Sequence, residues 1–341
     1  MKIIHVITSM QKAAGTTTFV ENLVAGLKAL GHDAEVIMSE DGFAQCDVIH
    51  IHGLWSSLLH AASQFAKANN IPVVWSTHGM TAPWSMRHKW WKKLPAWWLY
   101  QKRDLKRAVL IHCTTDQEVV WNNALGFGNC FIAPLGTREN QFHSPTPTHN
   151  SNYTLLFVGR IYPVKGLVNL IKAWKLVLDF TCSTRFDICW KLRVVGPDQA
   201  GHQAELEALV RELALCGSVE FVGPKYGAEL NAEYDNCDCL ILPSFTENFG
   251  ATVVDALAHG KPCIASTFTP WRELAERDCG WWVSNEPKSL ADAILKMISL
   301  DDAVRCAMGE RGRKLVEEKY TWSAVVKTMI GEYTEVLGGR A

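Results

Sequence analysis

The sequence has no apolar stretch of the roughly 18 residues that a membrane-spanning helix requires. Its eleven cysteines include no Cys-x-x-Cys pair; Cys237 and Cys239, one residue apart in a strand-like run, come nearest. That scatter speaks against the usual zinc and redox spacings and fits free, mostly buried thiols in a reducing cytoplasm. There is no G-x-G-x-x-G and no G-x-x-x-x-G-K-[ST], so any phosphate site must be built by other means. Neither sign of charge dominates: 34 Lys and Arg face 35 Asp and Glu, a net charge of −1. Without a bulk basic field or a motif for it, nucleic acid is not an expected partner. The opening "KIIHVIT" is too short for the apolar segment of a secretory signal and reads as a buried strand.

What is present is apolar patterning on a scale for two domains. Hydrophobic residues make up 48% of 341 positions, enough for real cores in a globular chain. Short apolar runs alternate with helical periodicity. After "KIIHVIT" comes a helix over "TTTFVENLVAGLKALGH", with Phe19, Val20, Leu23, Val24, Leu27 and Leu30 on its apolar face and a stop at Gly31. Strands follow at "AEVIM", "DVIHIH", "PVVWST", "VLIHCT" and "CFIAP". The pattern breaks over "TRENQFHSPTPTHNSNYT", the linker candidate. It resumes with strands at "YTLLFVG", "WKLRVVG", "SVEFVG", "CDCLILP", "KPCIAS" and "CGWWV". The expectation is two doubly wound, Rossmann-like α/β domains, residues 1–147 and 151–320, with ligands off the carboxyl ends of the strands and in a cleft between the domains. A last helix, about 321–337, follows the second domain.

The chemistry concentrates in two stretches. In "VGRIYPVKG", Arg160 leaves a strand end and Lys165 precedes Gly166 and a helix. A planar guanidinium and a point-charge ammonium at such a place suit a diphosphate. In "PSFTENFGATVVDALAHGKP", Glu247 sits in the turn after a strand, and Asn248, Phe249 and Gly250 lead into a helix whose N-terminal amides attract anions. A carboxylate beside an anion site needs another partner, and sugar hydroxyls fit. Asp255, partway along that helix, can reach a separate part of an extended ligand. Glycines also close the strands at "FVGR" (Gly159) and "VVGP" (Gly196), where a backbone can come close to a ligand.

Together with "WSTHG" and "AAGTTTFVENLVAGLKALGH", these motifs resemble the GT-B glycosyltransferases of family 4, over about residues 2–335. The resemblance implies a nucleotide-sugar donor held between two Rossmann-like domains. It also implies that the C-terminal helix crosses back to the first domain. Transfer would retain anomeric configuration and need neither metal nor other cofactor. Arg160 and Lys165 correspond to the grip on the donor diphosphate, Glu247 to the first acid of an E-x7-E motif contacting the sugar, and Asp255 to the second, a glutamate in the family. Asn248, Phe249 and Gly250 resemble the amides beneath sugar and phosphates. Gly15 resembles the second glycine of a phosphate-approaching loop whose first position is Ala14 here. His78 resembles the histidine facing the reacting centre. Gly196 and the Gly223–Tyr226 turn, with Pro224 and Tyr226, lie where the family holds the base.

On the acceptor side, His52, Trp55 and Trp84 are the candidates. Between Arg87 and Arg107 there are eight Lys or Arg against the single Asp104, with tryptophans interleaved. Such a segment either buries its tryptophans in paired helices or meets an anionic membrane surface. A glycan or polyprenyl-diphosphate-linked acceptor in capsule, exopolysaccharide or lipopolysaccharide synthesis, at the inner face of the cytoplasmic membrane, would account for the second. His50 and His52 alternate like metal ligands, but an acceptor-side role for His52 is the stronger expectation. Two other readings share the architecture: a nucleotide-sugar 2-epimerase, and a non-catalytic sugar-nucleotide-binding partner of another transferase.

Overall fold

A computed structural model describes residues 1–10, 15–137, 152–184 and 189–339. The chain divides into two compact units, Met1–Gly136 with Thr321–Ala341, and Thr137–Tyr320. The boundary expected between residues 147 and 151 lies outside the described residues, as does Ala14.

The first unit carries strands β1 (Lys2–Val6), β2 (Asp33–Ile37), β3 (Val48–His52), β4 (Val73–Ser76), β5 (Leu110–Cys113) and β6 (Cys130–Ile132). They form one parallel sheet in the order β2-β1-β3-β4-β5-β6. β3 and β4 are buried along their whole length, as a central strand covered on both faces should be. Side chains alternate between two cores. Ile4, Val6, Ile49, Ile51, Trp75 and Ile111 face one side. Ile3, Val48 and Val74 face the other, under Phe19, Leu23 and Leu27 of the helix Gly15–Ala29 and Val325, Val326, Met329 and Tyr333 of the helix Trp322–Gly338. Those two helices touch at Gly26, where an added Cβ would run into the Val326 side chain.

The second unit carries β7 (Asn152–Val158), β8 (Cys189–Val195), β9 (Val219–Gly223), β10 (Cys239–Leu242), β11 (Cys263–Ser266) and β12 (Gly280–Val283). Its parallel sheet runs β12-β11-β10-β7-β8-β9. β10 and β11 are wholly buried. Cys239 opens β10, whereas Cys237 closes the preceding helix Ala228–Asn236 instead of joining the strand. In each unit the winding reverses beside the first strand: between β1 and β3, and between β7 and β10. In open α/β sheets the crevice outside the strand ends at such a reversal is where ligands bind.

Candidate active site

The reversal point of the second unit gathers the expected donor residues. β7 runs out into Gly159 and Arg160, and a turn of 3-10 helix, Pro163–Lys165, ends at Gly166. β10 runs out into Pro243, Ser244 and the loop carrying Glu247. The two loops are knitted together: Phe245 N donates to Val164 O at 2.8 Å. Gly166 has φ 73°, and an added Cβ would collide with the Pro243 carbonyl. Lys165 and Glu247 meet across the reversal as an ion pair, their side chains only 14% and 13% exposed. Ser244 Oγ donates to the same Glu247 oxygen at 2.7 Å. An ammonium has three N–H groups; one serves Glu247, which aims the others. Arg160 stands apart from this pair, with Nη1 donating to Gln199 Oε1 at 2.8 Å on the exposed side.

The helix after Glu247 begins at Ala251, with Gly250 as its left-handed N-cap (φ 81°). Phe249 is buried against Trp271 and Tyr320, and its carbonyl accepts from Trp271 Nε1 at 2.6 Å. The loop is therefore fixed by an aromatic cluster and not left to the ligand. Asp255 lies on this helix, and Thr137 Oγ1 reaches its Oδ1 at 3.4 Å. Burial pushes the Asp255 carboxyl up to about 7, a rise that the Thr137 hydrogen bond partly offsets. Gly196 ends β8 at φ 149°, and its Cβ position is filled by the Gly159 carbonyl. Pro224 and Tyr226 follow the edge strand β9, with Tyr226 62% exposed.

The acceptor-side candidates of the first unit are tied together by histidines. His78 follows β4 in the left-handed region, φ 48°. Its Nε2 lies 3.1 Å from His52 Nδ1, and His52 Nε2 lies 3.0 Å from His5 Nδ1. His52 is 1% exposed and both its ring nitrogens are engaged, so its side chain is not open to direct contact with a ligand, contrary to the expectation that it would meet an acceptor itself. A second chain can be oriented completely. Ala133 O can only accept, so His112 Nε2 donates to it at 2.7 Å. His112 Nδ1 must then accept from Ser76 Oγ at 2.7 Å. Ser76 in turn accepts from His50 Nε2 at 2.6 Å, and Tyr333 donates its hydroxyl to His50 Nδ1 at 2.6 Å. Burial, reinforced by neighbouring histidines, holds His50 and His52 well below the usual imidazole range, and burial alone lowers His5 to about 3. Ring nitrogens of His5, His50 and His52 lie within 4.8 Å of one another, close enough for a metal. Five of those six nitrogens already have hydrogen-bond partners, so a cation would have to break side-chain hydrogen bonds of this network.

Sequence reasoning missed Glu118. Fully buried on the helix Asp116–Ala124, it accepts from Thr77 Oγ1 and Gly79 N at 2.6 Å each and from Thr114 N at 2.8 Å. It thereby clamps the loop that bears His78. The signal was present as the capping-box pattern Thr115-x-x-Glu118: Thr115 Oγ1 accepts from Glu118 N, while the carboxylate reaches one residue further back, to Thr114 N.

Trp55 and Trp84 part company. Trp55 (φ 70°) is pinned through N to Gln101 Oε1 at 2.8 Å, and its ring lies 6.0 Å from that of Trp97. Trp84 is exposed and stacks on His88. In the basic segment only Trp97 is buried among the tryptophans between Arg87 and Arg107. The reading that buries them in paired helices fails: Trp84, Trp90, Trp91, Leu94, Trp98 and Leu99 are 45–70% exposed. Pro95 lies within the helix Trp90–Ala96, which continues into a π-helical turn, Trp97–Gln101. Asp104 turns inward, bound by His60 Nδ1 at 2.6 Å and Gln64 Nε2 at 3.1 Å.

The family model described as "Glycosyl transferases group 1" matches residues 138–315, and "Glycosyltransferase Family 4" matches residues 40–121. An uncharacterized glycosyltransferase of Methanocaldococcus jannaschii is 30% identical over 182 residues, covering 52% of this chain and 44% of that protein. The chain spans about half the length of the curated relatives it matches. Among solved structures, sucrose-phosphate synthase from Thermosynechococcus elongatus aligns with TM-score 0.78 at 19% identity, covering 99% of this chain and 100% of that one. Anabaena HepE in complex with UDP and glucose aligns with TM-score 0.75 at 17% identity, covering 98% and 100%. These likenesses carry the fold: two Rossmann-like parallel α/β units of GT-B type. Since a single family model spans more than half of its residues, the chain belongs to the glycosyl transferases group 1.

Proposed function

We propose that this chain moves a hexose-type sugar from a UDP- or GDP-sugar to a glycan or lipid-linked glycan acceptor, with retention and without a metal. The observation that carries the reading is the Lys165–Glu247 pair at the β7/β10 reversal. Breaking a bond between an anomeric carbon and a phosphate oxygen puts positive charge on the sugar and negative charge on the departing diphosphate. Preorganised donors at that oxygen are the largest available help. Lys165 and Arg160 supply cations there, and the amides leading into Ala251–Ala258 supply dipoles. Glu247, held by Lys165 and Ser244, is a rigid acceptor for sugar hydroxyls. Each charge-assisted hydrogen bond contributes on the order of 1.5–3 kcal/mol. Support from relatives is the family match and the UDP and glucose in the HepE complex.

A thermal-shift screen of UDP-, GDP- and ADP-sugars tests the donor assignment, because a ligand bound only by the native form raises the melting temperature. A shift with one base, lost in Arg160→Ala, is expected. Incubation with UDP-N-acetylglucosamine alone separates transfer, which gives only slow hydrolysis, from epimerisation, which gives the 2-epimer.

We further infer that the surface around Trp84, Trp90, Trp91 and Trp98 docks on anionic bilayers, placing the enzyme at the inner face of the cytoplasmic membrane beside a polyprenyl-diphosphate-linked acceptor. Supporting this, the aromatic rings face outward and the one acid of the segment faces inward. Lys and Arg near an anionic surface contribute about 1 kcal/mol each. Binding to anionic vesicles in co-sedimentation, lost with high salt, is expected. Failure to bind at low salt rejects the inference.

A further inference from the structure

His78 is held from two directions. Its left-handed backbone, a costly conformation outside glycine, is pinned by Glu118, which accepts from Thr77 Oγ1 on one side and Gly79 N on the other. Its ring is pinned by the chain His78–His52–His5. All three imidazoles stay neutral at ordinary pH, because burial lowers their proton affinity; His112 adds to the effect at His78, whose pKa falls to about 3. Each ring therefore has one N–H and one bare nitrogen, and the chain admits two orientations. In one, protons point inward, from His78 Nε2 to His52 and from His52 Nε2 to His5. His5 must then carry its proton on Nε2, a fully buried atom with no hydrogen-bond partner among the described residues. In the other, His5 Nδ1 donates to His52 Nε2 and His52 Nδ1 donates to His78 Nε2. The unpartnered His5 atom is then only a lone pair. Orphaned buried N–H groups are rarer than under-used acceptors, which favours the second orientation. It leaves His78 with its proton on Nδ1, the ring nitrogen that makes no hydrogen bond within the described residues.

We propose that His52, His5 and Glu118 are positioning residues that lock His78 as a neutral Nδ1–H hydrogen-bond donor, so that it polarises an oxygen at the reacting centre and does not act as a general base. This rests on the glycosyl-transfer reading for its catalytic consequence, but the locked tautomer stands or falls independently. Phe19, 5.5 Å from the His78 ring centroid, and His112, at 6.5 Å, are its other ring neighbours and supply no competing hydrogen bond.

The test is long-range proton–nitrogen NMR on the full chain labelled with 15N-histidine. The expected spectrum shows His78 protonated at Nδ1 and bare at Nε2. A proton on His78 Nε2 overturns the proposal, and this measurement needs no variant. In His52→Phe the lock should be lost and both tautomers populated, whereas His52→Gln, whose side-chain amide can donate to His78 Nε2, should restore the Nδ1–H form. With UDP-glucose as the donor probe, His52→Phe should lower kcat at least about tenfold with KM changed less than about twofold, and His52→Gln should recover most of the loss. An unchanged His78 tautomer or unchanged kcat in His52→Phe refutes the positioning role. Absence of turnover in the wild-type protein would instead count against the transfer reading and leave the tautomer result intact.

Discussion

Replacing Asp255 by Asn should make this protein more stable at alkaline pH and leave it unchanged at acid pH. Asp255 sits on a helix whose neighbouring residues Val253, Val254, Ala256, Leu257 and Ala258 are all buried, and its described hydrogen bond is the long one from Thr137. Burial raises its pKa from 3.8 to about 7. A raised carboxyl pKa means that the folded state holds a proton the unfolded chain has released. Stability is therefore fully present below about pH 3.8 and is lost as pH climbs toward 7. At about 1.4 kcal/mol per pH unit, that span caps the loss at about 4 kcal/mol. Asp255 keeps part of its surface in solvent, so about 2 kcal/mol is the working expectation. Asn has nearly the same shape and does not titrate. The difference in unfolding free energy between Asp255→Asn and wild type should thus grow by about 2 kcal/mol between pH 4 and pH 8, while titrations elsewhere cancel in the difference. Urea unfolding followed by tryptophan fluorescence at several pH values reads it directly. Parallel curves for the two proteins, or a variant weaker than wild type at pH 8, would refute the reasoning.

Ser76→Ala removes the hydroxyl between His50 and His112; it leaves a buried N–H and a buried lone pair unmatched and should cost about 2–5 kcal/mol, read as a lowered melting temperature. Gly166→Ala adds a methyl against the Pro243 carbonyl at a left-handed position, and should separate the two donor loops and destabilise by at least about 2 kcal/mol in urea unfolding. Trp98→Glu, at a side chain 70% exposed, should stay within about 0.5 kcal/mol of wild type yet lose most vesicle binding in co-sedimentation. Glu247→Gln should lower turnover at least about tenfold while the far-ultraviolet spectrum stays native.

Most strands were legible as short runs rich in apolar residues, as in Val73–Ser76, Cys239–Leu242 and Cys263–Ser266. The motif residues could be placed for the same reason: Arg160, Lys165 and Glu247 lie in the loops that leave strands β7 and β10. What was not legible depends on pairing between distant strands. His50 and His52 look like a local alternation, but their meaning comes from register. His5 lies opposite His50, and Ser76 lies opposite both His52 and His112. No local pattern contains that alignment. The tryptophan segment was ambiguous for a related reason, since Trp97 and Trp98 are neighbours in sequence and only the first is buried. Successive residues of a helix point about 100° apart, so of this adjacent pair one ring turns to the core and the other to solvent. Sequence alone points Lys165 and Glu247 each toward a ligand; the structure adds that they hold one another.

The central proposal is a diphosphate held at the second unit's reversal point by Arg160 and Lys165. Calorimetric titration of UDP into the full chain in the presence of EDTA tests this most directly. The prediction is binding without any divalent metal, weakened at least about tenfold in Lys165→Met and again in Arg160→Ala, about 1.4 kcal/mol each. Equal affinity in wild type and both variants, or binding that appears only when manganese is restored, would contradict it.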